Sequence, residues 1–174
     1  HGGMGFIEET GAAGFYRDAR IAPIYEGTNG IQSIDLVMRK LPLGGGEHVH
    51  AYIGELRGEV EALRASNRPG FGHTAGHLER AFDELEEATR FLQRAQADGR
   101  VSEALAGATP YLRLFSLAAG TALMVRGARN AESAAQTALC RFFAENLLPE
   151  SSALKDRVVN GAASLDEAAA AILA

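Results

Sequence analysis

The chain has 174 residues, of which 47% are hydrophobic, and a formal net charge of -5. This length and composition are sufficient to bury a proper core, so the sequence predicts a soluble, globular protein. The acidic balance offers no basic surface for a phosphate backbone, which excludes nucleic acid as an expected partner. The longest nearly apolar stretch, Tyr111 to Val125, is interrupted by Arg113. It is shorter than the roughly 20 residues that cross a bilayer, so we expect no membrane insertion.

The single cysteine, Cys140, excludes an internal disulfide and fits a reduced, cytoplasmic protein. Its place beside Phe142 and Phe143 predicts a small hydrophobic side chain of the core. The N-terminus has no charged and apolar targeting segment. It opens inside a glycine-rich loop at His1 and Gly2, from which we expect this chain to continue a longer one.

Two helices are predicted before the middle of the chain. The first runs from Ile7 to about Ala19 and is weakened by Gly11. Apolar residues then recur at helical spacing from Ile31 to Leu41, which predicts a second helix. Thr28 or Asn29 can cap its N-terminus.

A run of glycines follows, Leu43-Gly44-Gly45-Gly46, directly after Pro42. This composition predicts a linker or hinge that is open to proteases. We therefore place a boundary near residue 45 and expect two domains, 1–45 and 46–174.

The apolar pattern of residues 46–174 predicts four long helices. Two amphipathic stripes come first. They consist of Val49, Tyr52, Ile53, Leu56, Val60 and Leu63, and of Leu78, Phe82, Leu85, Thr89, Leu92 and Ala95. The segment from Pro110 to Val125 is apolar nearly all round, so we expect it at the centre. The fourth helix is marked by Ala135, Leu139, Phe142 and Phe143, and a short terminal helix is expected to begin near Ser164.

No segment alternates polar and apolar residues at period two, so we expect almost no sheet. The predicted fold class is all-α, with an up-and-down helical bundle after residue 46.

Several other polar groups are candidate sites. His73 and His77 stand four residues apart but have no evident third ligand, so no metal site is predicted. His48 and His50, beside the glycine run, are weaker metal candidates still. The acidic run on the second bundle helix, consisting of Asp83, Glu84, Glu86 and Glu87, is most simply a solvated face.

Glu26 lies on a loop just before a helix start. Free backbone N–H groups and the positive end of the helix dipole attract anionic ligands at such a position. Taken alone, the pattern favours an ordinary solvated glutamate that the dipole stabilises.

The motif Tyr25-Glu26-Gly27-Thr28, preceded by Arg17-Asp18-Ala19 and by the loop from His1 to Phe6, resembles the end of the acyl-CoA dehydrogenase fold. The resemblance covers residues 1 to about 42. It implies that Glu26 is the catalytic base and that Gly27 lies against the acyl-CoA substrate.

The same resemblance implies contacts to FAD from two places in the chain. Thr28, Asn29 and Gly30 would touch the flavin, while Gly2 and Gly3 would meet the adenine half of a flavin held mainly by a neighbouring subunit. Many relatives have glutamine at the position of Gly30, so any flavin contact there is left to the backbone.

The implied function is oxidation of an acyl-CoA to the trans-2-enoyl-CoA in fatty acid metabolism, by α-proton abstraction and β-hydride transfer to FAD. Electron-transferring flavoprotein is the implied acceptor, and a homo-oligomer, dimer or tetramer, the implied assembly. Domain 46–174 looks like the bundle appended in the methylmercaptopropionyl-CoA dehydrogenase branch. By itself the chain is expected to be inactive.

The alternative hypothesis is a non-catalytic α-helical module for interaction or oligomerisation, in which Glu26 is a surface residue. A flavin absorbance band in the full-length protein would distinguish the two.

Overall fold

The computed structural model describes residues 1–131 and 133–173, and within these ranges the protein is built from helices and turns without a strand. The predicted all-α class is confirmed. No helix in the described ranges is long and apolar enough to span a membrane.

The N-terminal part contains short helices. They are two 3₁₀ turns at Gly2–Phe6 and Glu8–Thr10, helix α1 at Ala12–Ile21, helix α2 at Asn29–Asp35 and a π-helical turn at Leu36–Lys40 that continues α2. Helix α1 begins later than the predicted Ile7. The reason is Gly11, whose φ of 74° is left-handed and separates the preceding turn from the helix.

The rest of the described chain forms the bundle. Its helices are α3 at Glu47–Ala65, α4 at Thr74–Ala97, α5 at Val101–Ala106, α6 at Ala108–Ala131, α7 at Ala134–Asn146 and α8 at Glu150–Leu173. Helix α6 lies at the centre and contacts α3, α4, α7 and α8. The prediction of a central third helix is therefore confirmed.

The core between α4 and α6 contains one buried polar pair. All six residues of the predicted α4 stripe are buried, and so is Tyr111 of α6. The Tyr111 hydroxyl lies 2.7 Å from Thr89 Oγ1, and Thr89 donates to the carbonyl of Leu85 at 2.7 Å. Burial raises the pKa of Tyr111 well above its ordinary value. The hydroxyl is thus a neutral donor that satisfies the core without placing a charge there.

Helix α8 is much longer than predicted. It begins at Glu150 and not near Ser164, because Leu154, Val158 and Ala162 recur every four residues and are buried against α4 and α6. Gly161 does not end the helix, since this burial outweighs its weak helix propensity.

Of the residues that mark helix α7 in the sequence, Phe143 packs partly against the core. Cys140 and Ala144 are buried, whereas Leu139 and Phe142 are more than half exposed. The small side chains of Cys140 and Ala144 let α7 approach the bundle closely, and two of its larger apolar residues remain exposed. The prediction that Cys140 belongs to the core is confirmed, and burial raises its pKa to about 11.

The glycine run forms an ordered turn, Leu43–Gly46, in which the three glycines have φ angles of 61°, 68° and 92°. Gly46 is buried, and its carbonyl accepts a hydrogen bond from Gln93 Nε2 at 3.1 Å. Val37, just before the turn, is fully buried, and its carbonyl accepts from Gln96 Nε2 at 2.7 Å. The segment predicted as a hinge is therefore packed against α4.

The acidic run of α4 makes contacts with neighbouring helices and is not simply a solvated face. Asp83 pairs with Arg57 of α3 at 2.8 Å, and Glu87 lies 3.7 Å from Lys155 of α8. Glu86 is 2.8 Å from His50 Nδ1, and Glu84 accepts from Ser152. These contacts link α3 and α8 to α4.

Candidate active site

Glu26 lies on a tight turn between α1 and α2. The turn starts where the backbone N–H groups of Ile24 and Tyr25 both donate to the carbonyl of Ile21, each at 3.1 Å. Glu26 has a φ of 55° and Gly27 a φ of 101°. Positive φ is uncommon for glutamate and is typical of positions where surrounding structure holds the backbone. Two successive positive-φ residues give the turn its sharp reversal.

Gly27 fits this turn because it lacks a side chain. An added Cβ would lie 3.2 Å from Ile31 Cγ2, and a φ of 101° is unfavourable for any other residue. Its surface beside Glu26 is consequently bare backbone.

The N-terminus of α2 follows at once. Thr28 caps it, since its Oγ1 accepts from the backbone N–H of Ile31 at 3.3 Å. Asn29 and Gly30 are the first helical residues and are exposed. A Cβ on Gly30 would approach only Thr28 Oγ1, at 3.6 Å, so glycine is not required by packing there.

Two polar side chains of α2 connect this turn to the bundle. Gln32 Nε2 donates to the carbonyl of Glu26 at 2.7 Å. Ser33 is buried, donates to the carbonyl of Gly30 at 2.8 Å, and lies 3.3 Å from Thr109 Oγ1 of α6. Neither contact was predicted from the sequence, because both depend on how α2 meets the turn and α6.

Gly2 and Gly3 lie in a separate turn, which packs on Glu8–Thr10 and α1. Gly2 has a φ of 55°, and no atom lies within 4 Å of a Cβ built on either glycine. The segment is closed by Arg17, which donates to both carboxylate oxygens of Glu8 at 2.7 and 3.0 Å. This contact lowers the pKa of the Glu8 carboxyl. Both glycines thus expose bare backbone, and they lie in a different turn from Glu26.

The N-terminal part exposes many apolar side chains, which we call the apolar N-terminal surface and define as Met4, Phe6, Phe15, Tyr16, Ile21, Ile24, Tyr25 and Ile31. Each of them is more than half exposed, and Phe6 and Phe15 reach 89% and 80%. No residue before Ser33 is buried. So many exposed aromatic and aliphatic side chains in one segment indicate a surface that another polypeptide or a ligand covers.

Comparison with known proteins identifies the family. Residues 52–168 match the family described as acetyl-CoA dehydrogenase C-terminal like, and residues 1–42 match the acyl-CoA dehydrogenase C-terminal domain. The chain belongs to the acyl-CoA dehydrogenase family. The turn of Glu26 lies in the matched segment 1–42. The turn Leu43–Gly46 lies between the two matched segments.

Three relatives illustrate the similarity. A 3-methylmercaptopropionyl-CoA dehydrogenase of Ruegeria pomeroyi is 37% identical across 95% of this chain. A butyryl-CoA dehydrogenase of Syntrophomonas wolfei is 38% identical across 47% of it, and acyl-CoA dehydrogenase family member 11 of Caenorhabditis elegans is 34% identical across 37%. The chain spans 30%, 13% and 11% of the length of these relatives.

Within the described ranges, no cluster of three or more His, Cys, Asp or Glu residues has a geometry that could bind a metal. His50 lies instead in a hydrogen-bonded contact, with Nδ1 at 2.8 Å from Glu86 Oε1 and Nε2 at 2.9 Å from Gln93 Oε1.

Proposed function

We propose that this chain is the C-terminal part of a flavin-dependent acyl-CoA dehydrogenase and that Glu26 is the base that removes the α-proton of the acyl thioester. Residues 1–45 would complete the catalytic helical domain, and residues 46–174 would be an appended bundle. The observation that carries the proposal is the position of Glu26, on a positive-φ turn beside a bare glycine and within the apolar N-terminal surface.

The turn has the groups that proton abstraction requires. The Glu26 carboxylate is exposed on the turn, and Gly27 beside it presents only backbone, against which we place the thioester. Among the described residues, no group accepts a hydrogen bond from the backbone N–H of Glu26. This N–H is therefore left to donate to the thioester oxygen as negative charge develops on it, in the manner of an oxyanion hole.

The surroundings explain how a carboxylate could act as a base here. Ile24, Tyr25 and Ile31 flank the turn and are exposed in this chain. When the remainder of the parent protein covers them, water is excluded around Glu26. A carboxylate that loses its hydration becomes a stronger base, which suits removal of a weakly acidic proton.

FAD, when bound, would accept the hydride from the β-carbon. The open positions fit such a group: the Thr28 hydroxyl keeps its proton after capping α2, while Asn29 and the Gly30 backbone are exposed beside it. We assign flavin contacts to these three residues, and contacts to the adenine half of a neighbouring subunit's flavin to Gly2 and Gly3. The described residues supply only helical walls, so we expect dehydrogenation in the complete parent and not in this chain alone.

The proposal extends to the setting of the reaction. The relatives are named for different acyl groups, so we propose the acyl-CoA class without a chain length. We propose electron-transferring flavoprotein as the acceptor, a homodimer or homotetramer as the assembly, the cytoplasm as the location and fatty acid metabolism as the process.

The test is Glu26→Gln in the full-length parent. We expect the variant to keep its fold and flavin but to lose enoyl-CoA formation by at least ~100-fold, the lower scale for a positioned general base. Glu9→Gln is the matched control, because Glu9 is an exposed carboxylate of the same N-terminal part. It should retain near-normal turnover.

Near-normal turnover by the Glu26 variant, measured with an artificial electron acceptor, would contradict the proposal. A colourless full-length parent without a flavin absorbance band would favour the non-catalytic helical module instead. The exposed apolar N-terminal surface would then serve only to bind another protein.

A further inference from the structure

The hydrogen bond between Gln32 and the backbone of Glu26 takes no part in the proposed reaction, but it constrains the conformation of the turn. Gln32 Nε2 donates to the backbone carbonyl of Glu26 at 2.7 Å, across six positions of the chain. Among the described residues it is the only hydrogen bond to the backbone of Glu26 or Gly27. The conformation of the turn at its most unusual residue therefore depends on one side chain.

Glu26 needs such support because its backbone is in a region that glutamate rarely occupies. Its φ is 55°, and the following Gly27 has a φ of 101° and adds flexibility of its own. A non-glycine residue persists in this region when neighbouring structure holds it. Rotation about the backbone of Glu26 would move its carboxylate and its N–H together, and these are the two groups assigned to the reaction.

Gln32 is well placed to hold the turn because it is itself fixed. Its backbone N–H donates to the carbonyl of Thr28 at 3.0 Å, in the first turn of α2. The next residue, Ser33, is buried and lies 3.3 Å from Thr109 Oγ1 of α6. The bundle thus holds α2, α2 holds the Gln32 amide, and the amide holds the carbonyl of Glu26.

We propose that Gln32 is a positioning residue for proton abstraction, which acts by holding the Glu26 carbonyl and so the direction of the Glu26 carboxylate. The inference rests on the proposed role of Glu26. Gln32 contacts neither substrate nor flavin in this proposal. Its contribution is orientation, and displacement of a reacting group by about 1 Å can cost on the order of 100-fold in rate.

The experiment compares two side chains of similar length at this position in the full-length parent flavoprotein. Gln32→Met keeps the shape but removes the donor, whereas Gln32→Lys restores an N–H donor on an unbranched stem. We expect kcat to fall about 10-fold or more in the Met variant, with KM within about twofold, and most of kcat to return in the Lys variant. Flavin content and Tm should stay at the wild-type values.

Two further variants make the outcome decisive. Gln136→Met changes an exposed glutamine of α7 and should leave every measured quantity unchanged. If Glu26→Gln is inactive but Gln32→Met is fully active, the positioning role is overturned and the role of Glu26 stands. If Gln32→Met loses flavin or Tm together with kcat, and Lys does not restore them, the role is structural and the inference fails. An active Glu26→Gln variant would overturn both.

Discussion

The segment before Ser33 and the bundle of α3 to α8 differ in how much of their own surface they bury. The first has no buried residue, although it is rich in aromatic and aliphatic side chains. Every helix of the bundle contributes to a common core, down to Ala104 of the short α5. The bundle thus stabilises itself by burying its own apolar surface, whereas the segment with the family motif leaves its apolar side chains exposed.

Removing one apolar side chain from each region should show the difference most clearly. Leu114→Ala deletes a fully buried side chain of the central helix α6 and should lower the free energy of unfolding by about 2–5 kcal/mol. Phe15→Ala removes a larger side chain that is 80% exposed. It should change the free energy of unfolding by less than about 0.5 kcal/mol. Urea denaturation of this chain, followed by circular dichroism, measures both. Equal losses would mean that the N-terminal segment packs on the bundle in solution.

The same contrast explains which helices could be predicted from the sequence. The α4 stripe was predicted residue by residue, because one face of α4 is buried along its whole length and the hydrophobic period reports that face. On α7 the apolar pattern reports the buried face less well, because Leu139 and Phe142 are exposed while Phe143 packs partly against the core. The first half of helix α8 was not predicted, because its buried residues, Leu154 and Val158, are few and stand among mainly polar residues.

A buried ion pair offers a second and smaller comparison within the bundle. Glu59 of α3 has a side chain that is 12% exposed, and it accepts from Arg126 Nε at 2.7 Å and Arg129 Nη1 at 2.9 Å, both on α6. Glu61 lies two positions away, is 75% exposed and pairs with Arg64 at 3.1 Å. The first carboxylate joins two helices, whereas the second stays within one.

Glu59→Gln should therefore lower the free energy of unfolding by about 1–2 kcal/mol, because hydrogen bonds to charged groups contribute more when water is largely excluded. Glu61→Gln should cost less than about 0.5 kcal/mol, as is usual for exposed pairs. Repeating the urea titrations at high salt should reduce the Glu61 effect further and preserve much of the Glu59 effect. If Glu59→Gln and Glu61→Gln lower the free energy of unfolding equally, Glu59 is hydrated in solution.

The candidate site was predictable only as far as its motif extends. Glu26 and Gly27 were selected by the family resemblance and by their place before a helix. The Gln32 contact and the link from Ser33 to Thr109 were not predictable, since they require knowledge of the turn conformation and of the helix that α2 packs on. Only the folded chain brings Gln32 to Glu26 and Ser33 to Thr109.

The last prediction concerns where the chain opens first, and it differs from the expectation of a protease-sensitive glycine run. Helix α1 has 10 residues, none of them buried, so it has little stability beyond its own hydrogen bonds and should open often. Trypsin should cut first after Arg17 and Arg20. The bond after Lys40 is protected, because the next residue, Leu41, is 1% exposed and belongs to the core.

A single variant tests the cause of that protection. Gln93→Leu removes both hydrogen bonds of this side chain, to the Gly46 carbonyl and to His50 Nε2. Because each such bond contributes about 1 kcal/mol, cleavage after Lys40 should become at least roughly fivefold faster. Cleavage after Arg17 and Arg20 should keep its rate, because residues 1–21 pack chiefly on one another. Mass spectrometry of a digestion time course distinguishes the fragments. If the first cut in the unaltered chain falls after Lys40, the glycine turn is a hinge in solution, as its composition alone suggests. If it falls in α1, the two matched segments are joined by a turn that shares the core of the bundle, and the part of the chain that opens first ends before the turn of Glu26.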